Sequence, residues 1–114
     1  MAIAVTATKN ALCTTYSQQG AYISIHTADP GSSGANEASG GSPAYARIQT
    51  TWGTAASSQI TGSAVTINLA AGTYTYAGIW TAATGGTFID KVAIASTTLG
   101  AQGSLIVTPT FSIT

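Results

Sequence analysis

Short stretches in which apolar and polar residues alternate run through most of this sequence, and glycine-rich segments separate them. Residues 64–69 give the clearest case, because Val65, Ile67 and Leu69 fall on one face. Alternation with a period of two indicates a strand that buries one face. Further strands are predicted at residues 21–27, 48–54, 73–81, 87–95 and 104–114. Because the connections are short, the pattern predicts a mainly β protein, an antiparallel β-sandwich of jelly-roll or immunoglobulin-like type.

One short N-terminal helix is predicted over residues 7–17. Apolar side chains recur there at nearly helical spacing, Thr6 or Thr8 is placed to cap the helix, and Gly20 is placed to end it. Threonines within the segment oppose the prediction, because a β-branched side chain loses rotamer freedom in a helix.

The chain has 114 residues, which suits one domain, and no shift in composition divides it. We predict a single β-sandwich domain over residues 1–114, with residues 1–20 as an N-terminal helix or arm. Ile3 and Val5 within this arm would also suit a short strand. Residues 28–43 are rich in glycine, serine and proline and are predicted to form a long loop. Connections of that length in a small domain are usually functional or disordered.

Charged residues are almost absent from the chain. Three basic and three acidic side chains give zero net charge, and charged residues make up 5% of the sequence. Typical soluble domains carry roughly 25%. Twenty threonines and twelve serines supply the polarity instead. A neutral, hydroxyl-rich surface loses little hydration energy when other protein covers it, so we predict a homo-oligomer within a larger assembly.

Neither a catalytic site nor a metal site is predicted. The single cysteine, Cys13, excludes a disulfide within the chain and is predicted to be a buried apolar side chain. The single histidine, His26, lacks the sequence context of a nucleophile and its base. One cysteine, one histidine and three carboxylates are too few for a closed zinc site. We therefore expect no enzyme activity, no catalytic residue, no metal and no cofactor.

Four polar residues are predicted to hold the long loop against the rest of the domain: His26, Asp29, Glu37 and Arg47. His26 ends a predicted strand and is expected to hydrogen-bond to the loop that follows. Asp29 precedes a Pro-Gly pair and is expected to form a turn. The planar guanidinium of Arg47 suits bidentate contact with a carboxylate, either Asp29 or Glu37. The alternative for Arg47 is a solvated side chain.

Four aromatic residues are candidates for an interface: Trp52, Tyr74, Tyr76 and Trp80. In a small sandwich, large aromatic side chains most often anchor the core or an interface with another subunit. The alternative is an exposed platform that binds carbohydrate.

No nucleic-acid or membrane partner is predicted. Lys9, Arg47 and Lys91 are too few for the basic patch that nucleic acid requires. No run approaches the roughly 20 apolar residues of a membrane helix, and no signal peptide is recognisable. We therefore expect the chain to be made in the cytoplasm of the cell that produces it.

Two motifs resemble a family of small bacteriophage virion structural proteins. The first runs from His26 to Arg47 and contains H-T-A-D-P-G, then G-A-N-E, then G-G-S and finally Y-A-R, with Pro43 and Ala44 inserted before the tyrosine. The second runs from Gly78 to Phe88 and reads G-I-W-T-A-A-T-G-G-T-F. Together with the alternating strands, the resemblance covers most of the chain. Members of this family are described as head decoration, minor capsid, tail or fibre proteins, and the family supplies no catalytic residues.

The resemblance and the low charge imply a structural component of the phage particle. Our leading expectation is a capsid decoration or minor capsid protein that binds the assembled head and stabilises it by mass action. Its partners would be the major capsid protein or other virion proteins, and it would reach the virion after assembly in the host cytoplasm. The alternative expectation is a tail or fibre protein, trimeric and with an exposed aromatic patch that binds host glycan.

Overall fold

The computed structural model describes residues 3–114, and it confirms a mainly β protein with antiparallel sheets and one N-terminal helix. The helix and strands are, in chain order, α1 (Thr6–Gln19), β1 (Tyr22–His26), β2 (Ile48–Gln49), β3 (Gln59–Thr61), β4 (Val65–Leu69), β5 (Gly72–Trp80), β6 (Phe88–Leu99), β7 (Gly103–Val107) and β8 (Thr110–Ser112). None of the described residues form a helix that is long and apolar enough to span a membrane.

A four-stranded sheet with the order β2-β1-β5-β6 forms the main layer of the protein. Strand β1 pairs with β5 along its whole length, with Tyr22 opposite Trp80 and His26 opposite Tyr76. Two further sheets have two strands each, β4 with β7 and β3 with β8. The described residues extend over 46 × 25 × 24 Å, so the protein is elongated.

The hydrophobic core lies between the main sheet and the β4-β7 sheet. Val65, Ile67 and Leu69 of β4 are at most 4% exposed, whereas Thr66 between them is exposed. They belong to one buried cluster with Ile23 of β1 and with other apolar residues of β1 and β5. Each aliphatic side chain of this size contributes about 1.5–3 kcal/mol when it is fully buried. The alternating pattern therefore produces a sandwich-like arrangement of two facing layers.

The helix begins and ends differently from the prediction. Val5 is the N-cap, no side chain caps the helix, and neither Thr6 nor Thr8 takes that place. Gly20 follows the last helical residue with an extended backbone rather than a left-handed one. A Cβ atom at Gly20 would lie 2.5 Å from the carbonyl oxygen of Trp80, so close packing on β5 explains the glycine.

The strand bounds also depart from the prediction in the second half of the fold. Strand β2 ends at Gln49, and a short strand, β3, appears within residues 55–63, which were expected to be a connection. Strand β6 continues to Leu99 because its last residues pair with the start of β5. The predicted strand over residues 104–114 is two strands, β7 and β8. Pro109 separates them, since proline has no N–H to donate to a ladder.

Candidate functional site

The lone histidine lies in a closed hydrogen-bond chain beneath the long loop. His26 is fully buried, and its Nδ1 lies 2.8 Å from the carbonyl oxygen of Ala35. A carbonyl only accepts, so Nδ1 carries the proton and Nε2 accepts from the Ser24 hydroxyl at 2.7 Å. The Ser24 oxygen in turn accepts from the indole Nε1 of Trp80 at 3.0 Å. The imidazole therefore joins β1, β5 and the loop.

The environment of His26 keeps the imidazole neutral at pH 7. Burial lowers the pKa of His26, and this effect outweighs the hydrogen bond to Ala35 and the charge of Glu37, which act in the opposite direction. The positive charge of Arg47 adds to the lowering. Both nitrogens of the neutral imidazole are hydrogen-bonded within the chain, one as donor and one as acceptor. This histidine therefore helps to hold the fold together.

A bidentate ion pair holds the end of the loop. Arg47 Nε and Nη2 donate to the two carboxylate oxygens of Glu37, at 2.8 and 2.9 Å. The hydroxyl of Tyr45 donates to the same carboxylate at 2.6 Å. Arg47 Nη1 donates to the carbonyl oxygens of Ala82 and Gly85, so the guanidinium also fixes the turn after β5. The side chains of Arg47 and Glu37 are 8% and 22% exposed, which makes the pair largely buried.

The charge of Glu37 is stabilised in this place. Burial raises the pKa of Glu37, but the hydrogen bonds from Arg47 and Tyr45 and the charge of Arg47 together outweigh burial and lower it. The pKa of Tyr45 is raised, by burial first and then by its hydrogen bond to the Glu37 carboxylate. The carboxylate therefore stays ionised at neutral pH and the phenol stays protonated.

The guanidinium of Arg47 also lies on the indole ring of Trp80, with its central carbon 3.5 Å from the ring centroid. Cation–π contacts of this kind favour arginine over lysine because the planar group stacks on the ring. Gly34 of the loop, at φ +79°, packs against the same indole, since a Cβ atom there would overlap the ring. The indole is thus enclosed by the loop and the ion pair.

Asp29 pairs with Lys91 and not with Arg47. Its carboxylate accepts from the backbone N–H of Gly31 at 2.8 Å, as expected for a turn, and from the ammonium of Lys91 on β6. The hydrogen bond from Lys91 lowers the pKa of Asp29, and the same bond raises the pKa of Lys91. Of the two carboxylates that the sequence offered to Arg47, the structure places Glu37 against it.

The four candidate aromatic residues do not form an exposed platform. Tyr74 is 3% exposed and donates to the carbonyl oxygen of Ala70, and Trp80 is 8% exposed. Trp52 is half-buried and its indole donates to the carbonyl oxygen of Gly20. Tyr76 is half-buried on β5. Trp80 lies beneath the guanidinium of Arg47 and is not part of an exposed aromatic surface.

A groove with a volume of about 520 Å³ opens between β6 and the segment from Val107 to Ser112. Tyr16 of α1 lies at this groove, stacked on Phe111 with ring centroids 3.8 Å apart. Its hydroxyl donates to the carboxylate of Asp90 at 2.8 Å. Burial raises the pKa of Tyr16, and the hydrogen bond to Asp90 adds to the rise. No sequence pattern indicates this stack, because the two rings are 95 positions apart along the chain.

Within residues 3–114, no three histidine, cysteine, aspartate or glutamate side chains cluster closely enough to hold a metal ion. Cys13 is fully buried in α1. The two sequence motifs, His26 to Arg47 and Gly78 to Phe88, fall on the loop, its ion pair and the turn after β5.

A comparison with protein families matches residues 5–114 to the family described as podophage GP4 fiber I protein gp80. The chain belongs to this family. The match makes it a bacteriophage virion structural protein of the fibre type. No curated protein and no solved structure matches the chain.

The structure gives the segment from His26 to Arg47 a role in the fold that its motif alone did not specify. Residues from His26 to Arg47 wrap one face of the main sheet, and backbone bonds fasten them, with Thr27 N–H donating to Asn36 and Ala38 N–H donating to Ile25. The loop is thus an ordered cover over Trp80.

Proposed function

We propose that this chain is a structural subunit of the phage fibre, carried on the tail, and that it acts as a building block without catalytic activity. The observation that carries the proposal is the family match, which covers residues 5–114 and names a fibre protein. A head decoration protein, which the sequence alone favours, would share the virion location, but the family description favours the fibre.

The distribution of charge supports a role in assembly. Four of the six charged residues form two ion pairs within the chain, Glu37 with Arg47 and Asp29 with Lys91. Asp90 accepts a hydrogen bond from Tyr16. Most charged side chains therefore already have a partner within the same chain. Covering such a surface with other protein removes few free ions from water, and this lowers the cost of assembly.

The geometry around the ionisable groups supports a role without catalysis. The imidazole of His26 is enclosed between Ser24 and the carbonyl of Ala35, and the thiol of Cys13 is fully buried. A general base must reach the proton that it removes, and these groups are turned into the fold. Trp80 has no part in the proposed role as a glycan-binding residue, because its indole lies beneath Arg47.

Labelling of phage particles tests the proposal. An antibody raised against the purified chain is coupled to gold and viewed by electron microscopy, with an antibody against the major capsid protein as control. We expect gold on the fibres and the control on the head. Gold spread over the head shell would contradict the fibre assignment and restore the decoration hypothesis.

A further inference from the structure

The two layers of the sandwich separate along β6 and leave part of the core uncovered. Val92 lies directly opposite Ala77 of β5, so its side chain is on the core-facing side of the main sheet. Nevertheless Val92 is 60% exposed, because the groove lies where the second layer would otherwise cover it. Ile94 and Val107 also line this groove.

The wall of the groove offers an edge for strand addition. From Asp90 to Ala93, β6 stays in continuous register with β5, and no strand pairs with its other side within residues 3–114. An extended segment laid beside these residues would gain backbone hydrogen bonds from β6. Its alternate side chains would point into the apolar groove, since side chains in a strand alternate between faces.

The chain itself carries a segment with that pattern. In residues 1–5, here called the N-terminal arm, Met1, Ile3 and Val5 alternate with two alanines, and no side chain is charged. Ile3 is half-buried and Val5 is 61% exposed, ahead of α1. Apolar side chains at alternate positions are what a strand needs in order to fill a one-sided apolar groove, and Val5 is exposed and so free to do so.

The position of α1 favours the arm of a second copy over the arm of the same copy. Tyr16, at the groove, lies ten residues after Thr6, where the helix begins. At 1.5 Å per residue, the helix carries its first residue about 15 Å away from Tyr16. A five-residue strand spans only about 17 Å, so the arm would have to double back over its full length to reach its own groove.

We propose that the N-terminal arm of one copy inserts beside residues 90–93 of a second copy and fills its groove. The contact is head-to-tail, so it propagates copies into a ring or a filament. Because the net charge is zero, copies do not repel one another through their overall charge. The proposal rests on the fibre-subunit role and adds to it how one copy contacts the next. It is tested on the purified chain, so it can fail while the labelling of particles still succeeds.

The test is the oligomeric state of the full chain, measured by sedimentation over a range of concentrations. The arm variant combines Ile3→Asp with Val5→Asp, and the groove variant is Val92→Asp. The matched control is Ile106→Asp, since Ile106 is 69% exposed on β7 and does not line the groove. We expect the wild type and the control to associate. The arm variant should associate at least about a hundredfold more weakly, roughly tenfold for each buried aliphatic side chain.

A mixture of the two variants gives the sharpest result. The arm variant keeps an intact groove and the groove variant keeps an intact arm, so the mixture should form a one-to-one dimer that neither variant forms alone. A synthetic peptide of residues 1–6 should also bind the arm variant and change the fluorescence of Trp52 in the groove, whereas a peptide with Ile3→Ser and Val5→Ser should not.

Several outcomes would overturn the proposal. A wild-type chain that remains monomeric, an arm variant that associates like the wild type, or a control that dissociates like the groove variant would each do so. Loss of association in the groove variant alone would assign the groove to another segment or partner and would likewise reject the arm.

Discussion

Removal of the Arg47 guanidinium should destabilise the fold more than any other change of a single charge. In Arg47→Met, the Glu37 carboxylate loses two hydrogen bonds and its counter-charge but remains only 22% exposed. Breaking a buried ion pair by removing one partner costs about 3–5 kcal/mol. Because Tyr45 still donates to the carboxylate and some water reaches it, we expect the lower end, about 3 kcal/mol.

Urea unfolding followed by tryptophan fluorescence measures this loss. With a denaturant slope of about 1–3 kcal/mol per molar, the midpoint should fall by roughly 1–3 M while the slope stays constant. The matched control is Lys91→Met, which breaks the pair between Lys91 and Asp29. The side chains of these two residues are 37% and 57% exposed, respectively. Solvent screens the attraction between two exposed charges, so the control should barely move the midpoint.

A double-mutant cycle with Glu37→Gln isolates the pair. If the two partners act as a unit, the effect of Arg47→Met should shrink by more than about 1 kcal/mol when Glu37 is already glutamine. An Arg47→Met protein within about 0.5 kcal/mol of the wild type would refute the reasoning, since the ion pair would then be no more than a surface contact.

Three further outcomes follow from the same geometry. Because burial lowers the pKa of His26, the unfolded chain binds a proton at this residue more readily than the folded chain does. The free energy of unfolding should therefore be highest above the ordinary histidine pKa of about 6.5 and should fall as the pH drops below that pKa. In His26→Gln, that part of the pH dependence should disappear from urea titrations, and a wild-type profile would contradict it. Gly34→Ala should cost more than about 1 kcal/mol because a Cβ would overlap Trp80, whereas Gly31→Ala, also at positive φ but in open space, should cost less, as thermal melts would show. The Cys13 thiol, 0% exposed, should react with a thiol reagent only as the protein unfolds; rapid labelling of the native protein would oppose its burial.

The fold was predictable where one face of a strand is buried and the other is not. Val65, Ile67 and Leu69 show this, since alternation in sequence and alternation in burial coincide. Strand β3 escaped the prediction because it buries only Ile60 between two exposed polar residues, which is too short a pattern to recognise. The division at Pro109 was visible as a proline but not as a change of partner, because sheet partners are set by the whole topology.

The candidate site was predictable in its residues but not in its pairing. The guanidinium of Arg47 had two carboxylates within reach along the chain, and the path of the loop selects one. His26 and Glu37 form an isolated antiparallel bridge, which brings Glu37 to the edge of β1. The turn at Asp29 lies farther out, beside Lys91. Sequence spacing fixes the candidates, whereas the three-dimensional course of the backbone fixes the partner.

The groove could not be predicted from the sequence, because it depends on where two layers fail to meet. Tyr16 reads as one apolar position of a helix and Phe111 as one position of a strand. Their stacking requires both layers to be in place. An exposed Val92 looks in sequence like any other core-facing strand residue.

A cryo-electron microscopy reconstruction of the intact phage tests the central claim most directly. The claim is that this neutral β domain is a fibre subunit whose exterior is covered by neighbouring copies. The expected result is density for the chain repeated along the fibre, with the loop from His26 to Arg47 packed over Trp80 in each copy. Density on the head shell, or a single isolated copy surrounded by solvent, would contradict the claim.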